Sequence, residues 1–564
     1  MPSNLAPLTG AAHAERNGAF FRNNAGSDDG RFGSNYLCSN RVALVVVTGL
    51  VGVGALLRLN ALGAKNLWLD EMWSLVIARM NLKSVIWSAR MQDPNAALYN
   101  VLLHFWIRFG QSESMVRGLS VVFGIALIPV IYLLGRDLLS RSVGLLAAAL
   151  VALNLFHIQY SQEARAYSLV VVLVTLSSLC FTRWVQKPGS ANWVGYVLFS
   201  AFALYAHIFA VLVLASHVIS LVFFRPCLAV WKRFLAAGAT TVLLTIPLGL
   251  LVYERTRSPF IAFNWIPRPT IRRVYDLLYS LAGNANYYGI EVRHSVPGRM
   301  LLILCIFLVV MALVTALKRR RSLEQPSEAW RFAFLLIWLL FPIVVVLGFS
   351  ILVQSWFVNR YLLICLPGLL IAVAQGLHSI RPRWLAVGLT TVAIALNLAG
   401  LPQYYRYRHK YQEWSAATQY VLANSRDGDA AAFSVGHGRL LFEYYRDKTS
   451  SGEHVPTILY PDLRNETTDP STLGYFPPLT TPQLGAIVSN PGRIWLFLYP
   501  EDWAPGFAMS QQLQAAIAAK HPYVQERKIY TVILRLYSAE QQAPSARAPG
   551  PVSVKVAPAG LFSK

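Results

Sequence analysis

A polytopic α-helical membrane protein with a small α/β domain at its C-terminal end is the architecture this sequence predicts, on three observations. Apolar residues make up 55% of the 564 positions and charged residues only 14%, against roughly a quarter charged in a soluble globular chain. Between residues 42 and 400 the apolar residues gather into runs long enough to cross a bilayer. After residue 400 these runs give way to short strand-like and helix-like segments in alternation. The composition excludes a wholly soluble protein and a wholly disordered chain.

Fifty basic and twenty-seven acidic residues leave a net charge of +23. In a membrane protein such an excess reports orientation, because Lys and Arg collect in cytoplasmic loops. Nucleic-acid binding is the other reading of so basic a chain. The basic residues are dispersed between apolar spans rather than gathered on one soluble domain, so no nucleic-acid partner is expected. The five cysteines, Cys38, Cys180, Cys227, Cys305 and Cys365, lie far apart without a CxxC pair. They predict neither a zinc site nor an external disulfide.

Residues 1–40 are rich in Asn, Gly, Ser and Ala and read as a disordered cytoplasmic tail without a signal peptide. The first span is 42–63. Others follow at 117–135, 142–158, 168–185, 192–206, 208–224, 234–252, 299–317, 332–352, 361–379 and 384–400, which makes eleven. The stretch 97–109 is apolar but too short, and reads as an interfacial or re-entrant helix. Counting it as non-spanning, with the N-terminus in the cytoplasm, makes every inside loop basic. These loops hold Arg136 and Arg141, Arg183 and Lys187, Arg225, Lys232 and Arg233, Lys318 to Arg321, and Arg381 and Arg383. Counting it as a span turns the first basic loop outward. The transmembrane module is thus 41–402, with long outer loops at 64–116 and 253–298. Residues 403–538 form an extracytoplasmic α/β domain and 539–564 a flexible tail. Within that domain helices are expected at 412–423, 439–445 and 511–519, and strands at 430–435, 494–499 and 529–537. The outer segments are long where the inner loops are short, so the chemistry is expected on the outer face.

The strongest candidate there is the adjacent pair Asp70-Glu71, flanked by Trp68 and Trp73 just after the first span. Two lone carboxylates beside an aromatic belt would ordinarily be a solvated loop. Here the flanks are apolar, and a carboxylate held against apolar surface is costly without a partner or a task. Neighbours on a helix do not share a face, so one of the pair is expected to do chemistry. The other orients it, pairs with Arg, or binds a metal. A second cluster, Gln162 to Tyr167, contains Glu163, Arg165 and Tyr167 and opens another span on the same side. It reads as a buried network or as a plain Glu163–Arg165 interfacial salt bridge with tyrosine anchors. A third set is cationic: Arg117, Arg255, Arg257, Arg268, Arg272, Arg273 and Arg360, which precedes Tyr361. Outer arginines run against the positive-inside bias. A phosphate at headgroup level accounts for Arg360 and Arg255, because Arg contacts it bidentately; bulk headgroups or Asp276 and Glu291 account for most of the rest. His207 sits in an outer turn and His104 in the short apolar segment. A lone His is more often a packing residue than a ligand. A divalent metal on Asp70 or Glu71 is the one cofactor left open, without HExxH-like spacing behind it. The sequon Asn465-Glu466-Thr467 is attributed to chance, and His437 to a turn before a helix.

Taken in order, these segments resemble the GT-C superfamily of lipid-phosphate-sugar-dependent glycosyltransferases, in particular its bacterial members. That group includes the protein O-mannosyltransferases and the lipid A aminoarabinose transferase. The resemblance rests on Asp70-Glu71, DPNAALYNVLLHFW at 93–106, SMVRGLSVVFG at 114–124, YSQEARAYSL at 160–169, YAHIFAVLVLASH at 205–217, NRYLLICLPGLL at 359–370 and EWSAATQYVLANSRDGDAAA at 413–432. It covers about 42–535. One departure is at Asp93-Pro94-Asn95-Ala96-Ala97, where many relatives have His-Pro-Pro or Asn-Pro-Pro before Leu-Tyr. Asp93 stands in as a polar group.

The resemblance implies a polyprenyl-phosphate-linked sugar donor and transfer to an acceptor hydroxyl on a protein, lipid or glycan. The setting it implies is the extracytoplasmic face of a bacterial inner membrane. Such a donor has a good leaving group, so the reaction needs a base for the acceptor and cations for the phosphate. Direct displacement inverts the anomeric carbon. Asp70 is the expected base and Glu71 its neighbour. Donor and acceptor contacts are expected from Asp93, Arg117, Glu163, Arg165, Tyr167, His207, Arg255, Arg360 and Tyr361. The competing class is a polytopic transporter or lipid flippase for an anionic lipid or solute. Such proteins show internal repeats and ionisable groups near mid-membrane, whereas here the polar groups cluster at the outer ends of spans. A scaffold protein would explain the α/β domain but not the acidic pair.

Overall fold

The computed structural model describes residues 40–91, 94–187, 189–224, 228–256, 266–285, 294–321, 326–406, 413–434, 436–449, 454–460, 481–498 and 504–539. They fall into two compact units, one running to Trp414 and the other beginning at Ser415.

The described part of the first unit is helical. In chain order its helices are α1 (Asn40–Leu59), α2 (Leu69–Arg79), α3 (Leu82–Met91), α4 (Ala97–Trp106), α5 (Glu113–Leu138), α6 (Arg141–Leu153), α7 (Leu155–Ser161) and α8 (Tyr167–Gln186). There follow α9 (Ser190–Ala206), α10 (Ala210–Phe224), α11 (Leu228–Thr256), α12 (Ile271–Leu281), α13 (Val296–Arg321), α14 (Pro326–Leu352), α15 (Leu366–Ser379) and α16 (Arg383–Arg406). A 3-10 helix, Asn359–Cys365, leads into α15. Each of the eleven stretches expected to span is helical. Among the described residues eight segments are long and apolar enough to cross a membrane, and α6 with α7 makes a ninth that is bent by 60°. Helix α9, at 17 residues, and the apolar part of α10, Ala210–Val222, are shorter. The stretch after residue 97 forms the 10-residue helix α4 and does not reach spanning length.

Local chemistry sets these boundaries. Ser112 and Ser140 accept from the main chain at Met115 and Val143, capping α5 and α6. Only two residues separate those helices, so they pack as antiparallel neighbours. Helices α8 and α15 are central, with Leu169 to Val172 and Leu369 to Ala374 buried. Helices α1, α11, α13 and α16 expose Leu44, Val45, Leu56, Leu235, Val242, Ile303 and Val387. Apolar side chains turned outward in such numbers mark a lipid-facing surface. Small residues allow the tightest crossings. A Cβ on Gly376 would lie 2.1 Å from the carbonyl oxygen of Leu308, so α13 and α15 touch backbone to backbone.

The second unit holds a five-stranded sheet in the order β2-β1-β3-β5-β4, with β1 Ala430–Phe433, β2 Thr457–Tyr460, β3 Ile494–Leu498, β4 Tyr523–Ile529 and β5 Val532–Ser538. Strand β1 runs parallel to β2 and β3, and β5 antiparallel to β3 and β4. Helices α17 (Trp414–Asn424), α18 (Gly436–Lys448), α19 (Thr481–Ser489) and α20 (Ala504–Ala518) accompany it. The core gathers Ala430, Ala432, Ile494, Leu496, Leu513 and Ile517. Sequence reasoning expects one strand over 529–537. The chain instead reverses at Tyr530, at φ 54, and forms a hairpin. That turn carries none of the Gly, Asn or Asp residues that announce a two-residue hairpin. The outward β4 reads Gln525-Glu526-Arg527-Lys528, without apolar alternation. Strand β2 and helix α19 likewise have no expected counterpart.

Candidate active site

Helix α2 begins with Asp70 and Glu71 in its first turn, where negative charge complements the helix dipole. The two carboxylates diverge from there. Glu71 turns inward and is fully buried. Its Oε1 accepts from Arg117 Nε at 2.8 Å and Oε2 from Arg117 Nη2 at 2.9 Å, a bidentate pair. Oε2 also accepts from the Trp68 amide at 3.4 Å, and Oε1 from the Ala164 amide at 3.0 Å. Arg117 is buried in the first turns of α5. Its Nη1 donates to the carbonyls of Leu62 (2.8 Å) and Lys65 (2.7 Å), and its Nη2 to that of Asn66 (2.9 Å). With the two bonds to Glu71, these engage all five N–H groups of the guanidinium. One ion pair thus fixes the loop after α1, the start of α2, the start of α5 and the segment at Ala164.

Asp70 faces the other way and keeps some exposure. Its Oδ2 lies 3.6 Å from Arg360 Nη2. Arg360 is buried in the 3-10 helix before α15, its guanidinium 5.6 Å from the Trp68 ring centre and 5.4 Å from that of Tyr361. These are cation–π distances, and the rings sheathe the charge. Arg165 approaches from the third side. Its Nη1 is 3.4 Å from both the Asp70 carbonyl oxygen and Ser74 Oγ. The Arg165 carbonyl accepts from Ser120 Oγ at 3.1 Å, and Ser120 Oγ lies 2.8 Å from Tyr99 OH.

An aromatic wall adjoins the charges. The rings of His207 and Tyr361 are 5.1 Å apart, Tyr167 and His207 6.2 Å, Tyr167 and Tyr361 6.4 Å, and Phe209 and Tyr361 5.4 Å. His207 Nδ1 accepts from the Phe209 amide at 3.2 Å, which leaves the ring proton on Nε2. Burial, and behind it the charges of Arg165 and Arg360, push the His207 pKa down to about 3. The imidazole is neutral at physiological pH.

The structure therefore brings Asp70, Arg165, Tyr167, His207, Arg360 and Tyr361 into one cluster, with the Glu71–Arg117 pair adjoining it. Glu163 is buried beside Arg165. Asp93 lies outside the described residues. Asn95, two positions on, accepts from the Ile208 amide at 3.4 Å, next to His207. Arg255 lies in the last turn of α11, and its side chain is outside the described part, as are Arg257, the sequon at Asn465 and the His437 side chain. His104 Nδ1 lies 2.9 Å from the Ala78 carbonyl and ties α4 to α2, a packing role. Both Glu71 oxygens face N–H donors, and Asp70 Oδ2 faces a guanidinium. Among the described residues no group of three or more His, Cys, Asp or Glu is placed to hold a metal ion. Sequence reasoning missed Ser74 and Ser120, which contact Arg165, and the buried Arg58. Arg58 had a signal, a single charge inside the first apolar span.

Residues 97–250 match the family described as dolichyl-phosphate-mannose-protein mannosyltransferase. The fold is similar to that of ArnT from Cupriavidus metallidurans in the apo state, with a TM-score of 0.58 at 12% identity, over 89% of this chain and 100% of that one. The structure of the same protein bound to undecaprenyl phosphate matches with a TM-score of 0.55 at 13% identity, over 88% and 99%. The Archaeoglobus fulgidus oligosaccharyltransferase tethered with an acceptor peptide matches with a TM-score of 0.50 at 10% identity, over 90% and 75%. No curated protein matches by sequence. Fold and matched segment are similar to those of multi-pass membrane glycosyltransferases. The match to the mannosyltransferase family lies in residues 97–250, and the fold over most of the chain is shared with ArnT.

Proposed function

We propose that this enzyme moves a sugar from a polyprenyl-phosphate donor to an acceptor hydroxyl on a protein, lipid or glycan, with inversion at the anomeric carbon. Asp70 is the base that takes the acceptor proton. The observation that carries this reading is the division of labour within the acidic pair. Glu71 has both oxygens engaged by four N–H groups, whereas Asp70 is partly exposed and faces Arg360 across 3.6 Å. Arg360 and Arg165 hold the donor phosphate and offset its growing charge as the glycosidic bond breaks. A phosphate leaves without a proton, so one carboxylate suffices. Attack from the face opposite the phosphate inverts the carbon. The wall of Tyr167, His207 and Tyr361 excludes water and packs against the sugar, and the neutral His207 adds no charge to compete for the phosphate. Asp93, Glu163 and Arg255 are further contacts to donor or acceptor in this reading, while Arg117 acts through Glu71 rather than on the substrate. ArnT bound to undecaprenyl phosphate supports a polyprenyl phosphate as the carrier.

In this reading residues 41–402 are the catalytic module, in a bacterial inner membrane with the N-terminus cytoplasmic. Residues 403–538 form an extracytoplasmic domain. The decisive experiment is sugar transfer in membranes supplied with radiolabelled polyprenyl-phosphate sugars. Asp70→Asn is expected to lower the rate by roughly 10²–10⁴-fold with expression and undecaprenyl-phosphate binding near normal. Full activity in that variant overturns the assignment of the base, and retention of anomeric configuration in the product overturns direct displacement.

A further inference from the structure

At Asn154 the span made of α6 and α7 bends by 60°. A bend of this size frees the last carbonyls of one helix and the first amides of the next, and here distant parts of the chain satisfy them. Arg58, in the last turn of α1 and fully buried, donates from Nη1 to the carbonyls of Gly54 (3.0 Å) and Ala152 (3.1 Å), and from Nη2 to that of Val151 (3.0 Å). Nη2 also lies 2.8 Å from His157 Nδ1. A guanidinium has no acceptor, so Nδ1 accepts. Asn154 Oδ1 accepts from the His157 amide at 2.9 Å, and its Nδ2 donates to the Leu281 carbonyl at 3.3 Å. The Leu155 amide donates to the carbonyl of Gly283 at 3.3 Å. Gly283 has φ 129, and a Cβ there would lie 2.6 Å from Asn397 Oδ1, so no other residue fits.

The main chain at Arg58 and Asn60 holds the far end of α7. The Arg58 carbonyl accepts from Gln162 Nε2 at 2.9 Å, next to a second bond from Nε2 to the Asn60 carbonyl at 2.8 Å. Tyr404 OH donates to Gln162 Oε1 at 2.7 Å. The next three residues are Glu163, Ala164 and Arg165 of the site. A charge buried in an apolar span is expensive, and an apolar side chain would pack α1 against α6 without that penalty. What a guanidinium adds is a rigid fork of donors for carbonyls that diverge at a bend.

We infer that Arg58 is a positioning residue of the active site: its guanidinium fixes the bend at Asn154 and the course of α7 through His157, and so sets where Arg165 stands against Asp70. It touches none of the reacting groups. The functional part of this inference rests on the reading of Arg165 as a phosphate-binding group.

The experiment uses the full-length protein in two arms. In the first, spin labels at Arg165→Cys and Lys83→Cys report the position of the Arg165 segment relative to α3. Arg58→Lys, which keeps the charge and loses the fork, is expected to broaden the distance distribution. Asn154→Ala, which removes the cap at the same bend, is expected to do the same and stands in if Arg58→Lys does not fold. A distribution as narrow as in unsubstituted Arg58 protein overturns the inference. In the second arm, undecaprenyl phosphate is titrated into Arg58→Lys, Arg165→Gln and the double variant. Each single change is expected to weaken binding about tenfold. The double is expected to stay near tenfold, because coupled residues are not additive. A loss of about 100-fold in the double, the product of independent effects, overturns action through Arg165. Broadened distances with unchanged binding in Arg165→Gln would instead remove the phosphate role of Arg165 and leave Arg58 as the residue that positions the segment.

Discussion

Asp70 and Glu71 share a peptide bond and end in different surroundings, one partly exposed beside Arg360 and one sealed against Arg117. About 100° of rotation per helical residue is enough to separate them. That such a pair was worth attention is visible in the sequence, since carboxylates among tryptophans after a span have no easy solvation. Which of the two meets the substrate is not visible, because it depends on Arg117 and Ala164 arriving from other segments. Arg360 makes the next test. If it clamps phosphate through its planar fork, Arg360→Lys weakens undecaprenyl-phosphate binding about tenfold, or ~1.4 kcal/mol. An unchanged affinity in the titration would count against the clamp. His207 makes a test in pH. Its pKa is lowered to about 3 in the folded state from about 6.5 in an unfolded chain. The unfolded state therefore binds the proton first. The stability His207 contributes is whole above about pH 6.5 and drains away as pH falls towards 3. Thermal melting in detergent should drop more steeply below pH 6 in the natural protein than in His207→Gln, and parallel curves would refute this.

At the scale of elements, the site is an assembly of helix ends. The starts of α2, α5 and α8 and the 3-10 helix before α15 each supply a side chain from their first turns, where the backbone is not yet closed on itself. The Glu71–Arg117 pair binds three of these ends together. Removing one partner of a buried ion pair typically costs 3–5 kcal/mol. Glu71→Ala should therefore lower melting temperature and activity together, in contrast to Asp70→Asn, which should spare the melt. A Glu71→Ala protein that melts like the natural one would remove the framework role. Sequence reasoning located the helices but treated 142–158 as a single straight span. Its hydropathy is unbroken across Asn154, and only the partners waiting in α1 and after α12 make a bend affordable. The hairpin of β4 and β5 escaped notice for a related reason. A solvent-facing edge strand has no apolar alternation to show.

At the scale of the whole molecule, every side chain placed at the site lies before Trp414, in the first unit. A chain truncated after residue 414 should therefore still bind undecaprenyl phosphate in a titration, with affinity within a few-fold of the full-length protein. Loss of binding in a truncated protein that still melts cooperatively would show that the second unit completes the donor site. What the sequence by itself determined was the class of architecture: a helical bundle in lipid followed by an α/β unit. Spanning depends on the summed hydropathy of some twenty consecutive residues, and strand and helix periods are equally local. The tertiary structure decided which polar groups meet. Glu71 and Arg117 are 46 positions apart, Ala164 and Glu71 93, and Arg165 and Asp70 95. A contact at such separation depends on how the helices pack and where they bend, and no stretch of the sequence contains that information alone.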